Sequence, residues 1–514
     1  MQIPRLAKFL CVLAIVSGCA LLLYLMDDGL GLAWPQNVVR NWEQFGLFDL
    51  HGKLVTNPGG FEATTNPDIY NGMSPVCLWL PYFAVKLFGW TGLGTMSFHI
   101  LLALAVFWAV WSLLGRDNFA FVVAAAAVLC PGYARWQKFL DPNAISVLFG
   151  LPYIAIVGSI LKRPHLRFAS VIGLFVLTLA FTSLNWTTAW VLGPCALLLL
   201  GMPQINRRAV FLFIALAGVS SVLVVAGSVI AKVGGHHDAG TGAANISGFI
   251  RGYTWGNTGY GTGLTTGKAL LRLAFVNGIG LLPLLVIGGC MAMKCLRGRN
   301  RKIGFALSPF ALAVVEIGFM RNYFAHHPWM AAPVLLVGLI FSLVLLRLRI
   351  EDAAAMTGRE TIQPGILFPA AISLLVFIYG MAVMVFFRAN ETNELSLVKL
   401  VRQHTERSNC IVIVKNLDPE TARMAPRFDA VLDRRVVVAD DLDHLPASQT
   451  PIVILSTAPS SGGLNLLAQT SDGGTNSQSW LRKTTDWFNH SIARRRPGDR
   501  LELAGTYFLY EPKP

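Results

Sequence analysis

The sequence predicts a mainly α-helical, polytopic membrane protein with about 11 transmembrane helices and a small C-terminal α/β domain outside the cytoplasm. Composition is the first observation behind this prediction, because 54% of the residues are hydrophobic and only 14% are charged. The second is the recurrence of long apolar runs along residues 1–388, the predicted transmembrane domain. The third is a change at residue 389, where shorter β-patterned runs with balanced charge begin.

The apolar runs and the basic residues between them define the expected topology. The runs lie near residues 7–26, 94–115, 118–133, 143–161, 167–184, 187–202, 209–231, 270–293, 303–320, 329–347 and 366–387. Lys and Arg concentrate in alternate connections, at residues 5–8, 116, 162–167, 207–208, 294–302 and 347–349. Because cytoplasmic connections are enriched in Lys and Arg, the N-terminus is expected in the cytoplasm. We therefore expect an integral membrane protein whose C-terminal domain lies outside the cytoplasm.

The net charge of +14 belongs to the membrane region and does not indicate a nucleic-acid partner. Residues 1–388 hold 27 Lys+Arg and 13 Asp+Glu, whereas residues 389–514 hold 15 of each. Most of the eight cysteines lie in apolar runs without metal-ligand spacing. They are interpreted as small core residues.

Residues 27–93 form one large external loop in this topology. The apolar run at 76–90 is short and contains Pro81, and counting it as a span would place every later basic connection outside. We therefore interpret it as a helix embedded in the outer leaflet. The apolar residues spaced among polar ones over 36–48 predict a second, amphipathic helix. Two interpretations of it are open: a helix in the membrane interface, or an ordinary surface helix.

Asp27 and Asp28 directly follow the first span and are the most informative residues of this loop. Two adjacent carboxylates beside hydrocarbon repel each other, so the pKa of one of them is expected to be raised. That predicts a role in proton transfer. The alternative is a polar stop at the end of a helix.

The second external loop, at residues 132–143, places two cations and a carboxylate at spacings of three. These are Arg135, Lys138 and Asp141. Residues three apart share a helical face, so the three groups are predicted to converge on one site. The alternative is a basic loop that contacts lipid headgroups.

Two later external loops add further candidates. Residues 321–329 supply Arg321, His326 and His327, and Glu316 lies just before them in a span, where a buried acid needs a partner. A purely structural ion pair is the alternative. The loop at 234–268 spaces Arg251, Tyr253 and Trp255 among glycines. Such rings are suited to stacking on a sugar, to a lid or to the membrane interface.

No metal or cofactor is predicted. Residues 236–238, His-His-Asp, are the one candidate for a divalent metal, and two adjacent histidines with one acid are a weak signal.

Residues 389–514 predict an accessory α/β domain. A helix is expected near 395–407, strands at 410–414, 436–439 and 451–456, a Gly/Ser/Asn-rich loop over 459–478 and a strand pair over 501–510. The segment contains no Gly-rich phosphate loop and no convincing nucleophile arrangement.

Four features together resemble the GT-C glycosyltransferases, in the branch of the protein O-mannosyltransferases and lipid A aminoarabinose transferases. They are the Asp27-Asp28 pair opening a long loop, the YNGMSPVCLWLPYFAVKLFG segment at 70–89, the RWQKFLDPN segment at 135–143, and a C-terminal domain outside. Many relatives carry His or Lys before a Pro-Pro pair in the second feature, whereas this chain has Gly-Met-Ser-Pro at 72–75. The oligosaccharyltransferase branch fits less well.

The resemblance implies transfer of a sugar from a polyprenyl phosphate to a hydroxyl or amine of a lipid, glycan or protein acceptor, with inversion. Asp27 or Asp28 would be the base, and Asp141 would orient the acceptor or hold a cation. The residues implied for the donor phosphate are Arg135, Lys138, Arg321, His326 and His327, and those for substrate contacts are Tyr70, Asn71, Arg251, Tyr253, Trp255 and Glu316.

Two other functions stay open. A polysaccharide polymerase or ligase would use a pyrophosphate-linked glycan. A lipid or sugar transporter would place acids and broken helices at the bilayer midplane, often within an internal repeat. The sequence shows no such repeat, and its charges cluster at one face of the membrane.

Overall fold

The computed structural model describes residues 33–60, 62–69, 74–89, 92–129, 142–163, 165–184, 188–202 and 205–234, short pieces within 336–344 and 401–406, and five strands between 410 and 512. The chain divides into two compact units. Unit 1 consists of Met1–Met26 and Gly72–Met384. Unit 2 consists of Asp27–Asn71, which is part of the predicted first external loop, and Val385–Pro514.

The longer described helices coincide with predicted elements. In chain order they are α1 (Ala33–Phe45), α2 (Val76–Phe88), α3 (Gly92–Leu113), α4 (Asn118–Leu129), α5 (Pro142–Leu161), α6 (Phe168–Leu184), α7 (Thr188–Gly201) and α8 (Arg207–Gly234). Helix α1 belongs to unit 2 and the others to unit 1. Helices α3 to α8 match six predicted spans to within a few residues. The other predicted spans lie wholly or mostly outside the described residues, so the total of eleven stays a prediction.

Short connections fold α5 to α8 into successive hairpins. Residues 162–167 join α5 to α6, residues 185–187 join α6 to α7, and residues 202–206 join α7 to α8. Each connected pair is in contact, and α6 also contacts α8. Because so short a connection reverses the direction of a helix, α6 and α8 run in the same direction and begin at the end of unit 1 where α5 finishes.

Helices of unit 1 expose apolar side chains on their outer faces and bury a few polar ones within an apolar core. Helix α6 exposes Phe168, Ile172 and Val176, which share one face, while it buries Thr178 and Thr182. Helix α8 likewise exposes Phe211, Val219 and Val222 and buries Ser220. A soluble protein rarely exposes such continuous apolar surface. This pattern confirms the integral membrane protein that the composition predicts.

Length supports the same conclusion for one helix in particular. Among the described residues, the stretch Arg207–Val224 is long and apolar enough to cross a bilayer, and five other apolar helical stretches are shorter. Over their full backbone, α3 has 22 residues and α5 has 20. About 20 residues are needed to cross the hydrocarbon core.

Tyr153 connects three helices in the core of unit 1. Its ring stacks on Phe181 of α6 with the centroids 4.2 Å apart, and its centroid lies 6.3 Å from that of Phe213 of α8. Its hydroxyl lies 3.0 Å from the Thr178 hydroxyl, which donates to the Leu174 carbonyl at 2.7 Å. Because the Thr178 proton is used in that bond, Tyr153 donates to Thr178. The buried hydroxyls are thereby satisfied and α5, α6 and α8 are held together.

Unit 2 contains a five-stranded mixed sheet. Its strands are β1 (Cys410–Val414), β2 (Arg435–Ala439), β3 (Ile452–Ser456), β4 (Leu464–Gln469) and β5 (Phe508–Pro512), in the order β2-β1-β3-β5-β4. Strand β1 pairs in parallel with β2 and β3, and β5 pairs antiparallel with β3 and β4. The strands predicted at 410–414, 436–439 and 451–456 are present. The helix predicted near 395–407 is described in part, at residues 401, 403 and 404.

The prediction of a loop over 459–478 is wrong where β4 lies. Leu464, Leu466 and Leu467 supply apolar side chains, but the register of β4 against β5 shifts between Leu466 and Ala468. Such an irregularity breaks the period-two pattern by which strands are recognised. Strand β5 covers 508–510 of the predicted terminal pair, and residues 501–507 lie outside the described part.

Candidate functional site

The predicted site residues all lie outside the described part of the chain, so their contacts stay predictions. They are Asp27, Asp28, Tyr70, Asn71, Arg135, Lys138, Asp141, Arg251, Tyr253, Trp255, Glu316, Arg321, His326 and His327. The histidine pair at 236–237 lies outside it as well. Within the described residues, no group of three or more His, Cys, Asp or Glu is suited to hold a metal ion. Several elements that are adjacent in sequence to these residues are described.

Helix α5 directly follows one of the predicted site residues. Asp141 directly precedes Pro142, the first residue of α5, and proline is favoured at that position because its missing N–H has no helical partner to lose. Since α5 finishes at residues 162–167, Pro142 lies at the opposite end of unit 1 from that connection. The predicted Arg135, Lys138 and Asp141 loop is therefore joined to the end of unit 1 opposite the basic residues of 162–167.

Helix α1 begins five residues after Asp28 and is packed firmly within unit 2. It fully buries Val38, Val39 and Trp42. The apolar face predicted for residues 36–48 is therefore covered by protein, which favours an amphipathic surface helix over a helix in the membrane interface. Phe48, just beyond the helix, is 82% exposed.

Two polar side chains of α1 attach the following loop to the helix. The Asn41 amide donates to the carbonyls of Val55 and Asn57, at 2.9 and 3.0 Å. The Trp42 indole N–H donates to the Lys53 carbonyl at 2.8 Å. Asn41 is fully buried, so these bonds satisfy groups that water does not reach.

Asn57 extends this network to the end of the loop. Its side-chain oxygen accepts from the Asp68 N–H at 2.6 Å, and its amide donates to the Asn66 carbonyl at 3.2 Å. The Thr56 hydroxyl donates to the Asp68 carboxylate at 3.1 Å. An antiparallel bridge between Val55 and Ile69 follows. These contacts hold the described part of the loop together up to Ile69, which directly precedes the predicted contacts Tyr70 and Asn71 in the sequence.

Sequence analysis missed the role of Asn41, Trp42 and Asn57. Asn37 and Asn41 are one turn apart on the face that carries Trp42, and both are buried. An amide repeated at that spacing on an apolar face was the available signal. The Pro-Gly-Gly sequence at 58–60 was a second signal, and Gly60 indeed adopts a positive φ of 71°, which favours glycine.

Helix α2 lies within the 70–89 segment that carries the family resemblance, and it packs on α3, α5 and α6. It buries Cys77, Leu78 and Tyr82 on the side of these helices. Its other side is apolar and exposed, through Trp79, Leu80, Phe83 and Leu87. An exposed apolar face of this kind is expected for a helix that lies in lipid.

The charged group of α2 is held against an aromatic ring. Lys86 Nζ donates to the Tyr82 hydroxyl at 3.4 Å and lies 5.6 Å from the ring centroid. At the start of the helix, the Ser74 hydroxyl accepts from the Val76 N–H, and the Cys77 thiol donates to the Ser74 carbonyl at 2.9 Å. Ser74 thus has a structural role at the start of α2.

Comparison with known proteins relates the chain to others by its fold. No protein-family model and no curated protein matches the sequence. Among solved structures, ArnT from Cupriavidus metallidurans bound to undecaprenyl phosphate is similar with a TM-score of 0.50 and 12% identity, over 87% of this chain and 93% of that chain. The apo state of the same protein gives a TM-score of 0.48 with 14% identity, over 87% and 92%.

A third structure is the archaeal oligosaccharyltransferase AglB from Archaeoglobus fulgidus, in complex with an inhibitory peptide and a dolichol-phosphate. Its TM-score is 0.42 with 12% identity, over 84% of this chain and 64% of that chain. The likeness to the undecaprenyl phosphate complex covers nearly all of both chains. The chain therefore has the fold of ArnT, as its resemblance to the lipid A aminoarabinose transferase branch predicts.

Proposed function

We propose that this protein is a GT-C glycosyltransferase that moves a sugar from a polyprenyl-phosphate donor to an acceptor at the extracytoplasmic face, with inversion. The observation that carries the proposal is the likeness of fold to ArnT over 87% of this chain and 93% of that chain, in a structure that holds undecaprenyl phosphate. A fold shared over nearly the full length favours a shared class of lipid-linked donor.

The proposed chemistry needs a base and cations more than an acid. Phosphate is a good leaving group, so the acceptor proton and the charge developing on the phosphate are the groups that need help. Asp27 or Asp28 takes the proton. Arg135, Lys138 and Arg321 bind the phosphate, together with His326 and His327. Asp141 orients the acceptor.

The described hairpins support the proposed orientation. The connection 162–167 and the residues that lead into α8 at 202–208 are basic and lie at one end of unit 1, whereas Asp141 precedes the opposite end of α5. If basic connections are cytoplasmic, Asp141 is on the outer face. In the full proposal, eleven spans place residues 389–514 in the periplasm of a bacterial inner membrane.

Helix α2 supports a lipid-borne donor. Its exposed Leu80, Phe83 and Leu87 offer apolar surface on a helix that begins five residues after the predicted substrate contact Asn71. A donor whose isoprenoid chain stays in the bilayer would approach along a surface of this type.

Envelope analysis of a strain that lacks the protein tests the proposal. Mass spectrometry of lipids, surface glycans and secreted proteins should show one sugar missing from one acceptor class. The wild-type gene should restore it, and the D27N/D28N double variant, produced at the same level, should not. An unchanged inventory of sugars, or restoration by the double variant, would contradict the proposal.

A further inference from the structure

Two connections at one end of unit 1 carry positive charge without any acid. We name this surface the basic end and define it as residues 162–167 and 202–208. Its sequence holds five Lys and Arg residues, one His and no Asp or Glu. The five cations are all exposed: Lys162, Arg163, Arg167, Arg207 and Arg208.

The arginines of the basic end are followed by exposed aromatic rings. Phe168 directly follows Arg167 and is 80% exposed, and Phe211 lies one turn after Arg207 and is 63% exposed. On α8 the exposed positions continue through Ile214 and Val222. Since residues at spacings of three and four share a face, one stripe of α8 begins with a cation and continues as apolar surface.

The two helices that carry these stripes, α6 and α8, are neighbours. Both helices begin at the basic end, run in the same direction and contact each other. A phospholipid has this same order of groups, with a charged phosphate at the membrane surface and acyl chains below it. The arginines are therefore complemented in charge by an anionic headgroup. The apolar rings of Phe168 and Phe211 are suited to contact the acyl chains beneath that headgroup.

We propose that Arg167, Arg207 and Arg208, with Phe168 and Phe211 below them, bind an anionic phospholipid of the leaflet at the basic end. The proposal does not depend on the sugar-transfer function. It predicts selective retention of phosphatidylglycerol over phosphatidylcholine, because both lipids carry a phosphate but only phosphatidylglycerol has a net negative charge.

Native mass spectrometry tests this on the full-length protein released from vesicles of equal phosphatidylglycerol and phosphatidylcholine content. Wild type should retain phosphatidylglycerol in excess. In R207Q/R208Q the retained phosphatidylglycerol should fall by about fivefold for each arginine removed. The matched control K162Q/R163Q removes the same charge directly after α5, outside both apolar stripes, and should lose clearly less phosphatidylglycerol than R207Q/R208Q. No excess in wild type, or an equal loss in both variants, would overturn the proposal.

Two measurements on the wild-type protein keep the test decisive if the Gln variant does not fold. Raising the ionic strength should reduce the excess, because an electrostatic contact is screened by salt. Replacing chloride by inorganic phosphate at equal ionic strength should leave the excess unchanged. An excess that is insensitive to salt, or that inorganic phosphate displaces, would contradict a lipid headgroup site.

Discussion

At the residue scale, the proposed chemistry depends on the Asp27-Asp28 pair. Changing an Asp to Asn keeps the size and most hydrogen bonds but removes basicity. We expect turnover to fall by about 10²–10⁴-fold at the position that takes the acceptor proton, with Asp27 slightly favoured because it is nearer the span. Turnover measured with D27N, D28N and the double variant, together with donor binding, checks this. Wild-type rates in all three variants would leave the pair as a polar helix stop.

Donor affinity depends on a second group of residues. Arg135→Ala, Lys138→Ala and Arg321→Ala should each weaken donor binding about tenfold or more, because a charge-assisted contact contributes about 1.5–3 kcal/mol. Titration of the detergent-purified variants with a polyprenyl-phosphate sugar measures it. Arg116→Ala, an exposed arginine in a connection predicted to be cytoplasmic, is the control and should bind as wild type. Unchanged affinity in all three variants would refute the assignment.

At the element scale, Asn41 attaches the 53–57 segment to α1. Asn41→Ala removes both donated bonds and leaves the carbonyls of Val55 and Asn57 without these partners. The local free energy of opening should fall by about 1–3 kcal/mol. Hydrogen exchange of peptides that cover residues 53–57 should accelerate accordingly. Thr64→Ala, at an exposed position of the same loop, should leave exchange unchanged; equal exchange in both variants would contradict the role of Asn41.

The sequence was sufficient to predict helices α3 to α8 and three strands. It was insufficient to predict strand β4 and the hydrogen bonds of the loop that follows α1. Helices α3 to α8 are predicted because each is a continuous apolar run, and three strands are predicted because β-branched residues dominate them. Strand β4 is missed because Gly, Ser and Asn residues flank it in the sequence, whereas the strand forms by pairing with β5, which is distant in sequence. The Asn41 and Asn57 network is missed for a similar reason, since its bonds join residues 9–16 positions apart. The contacts of the predicted catalytic residues stay predictions.

At the scale of the whole molecule, the topology and the site depend on each other. Eleven spans with a cytoplasmic N-terminus place residues 389–514 outside the cytoplasm. A reporter that is active only in the cytoplasm, fused after Pro514, should therefore be silent, and the same reporter fused in the basic connection 294–302 should be active. Strong activity at Pro514 would overturn the span count and, with it, the outward position of Asp27, Asp28 and Asp141.

The nature of the lipid product tests the central claim most directly. Purified protein in vesicles is supplied with polyprenyl-phosphate-linked sugars and with an envelope extract as acceptor, and the polyprenyl products are identified by mass spectrometry. The proposed glycosyltransferase releases polyprenyl phosphate as sugar appears on the acceptor, and D27N/D28N does not. Consumption of only pyrophosphate-linked glycans, with release of polyprenyl pyrophosphate, would identify a polymerase or ligase instead. Movement of the donor across the bilayer without cleavage of its sugar–phosphate bond would identify a transporter, and either result would contradict the proposed function.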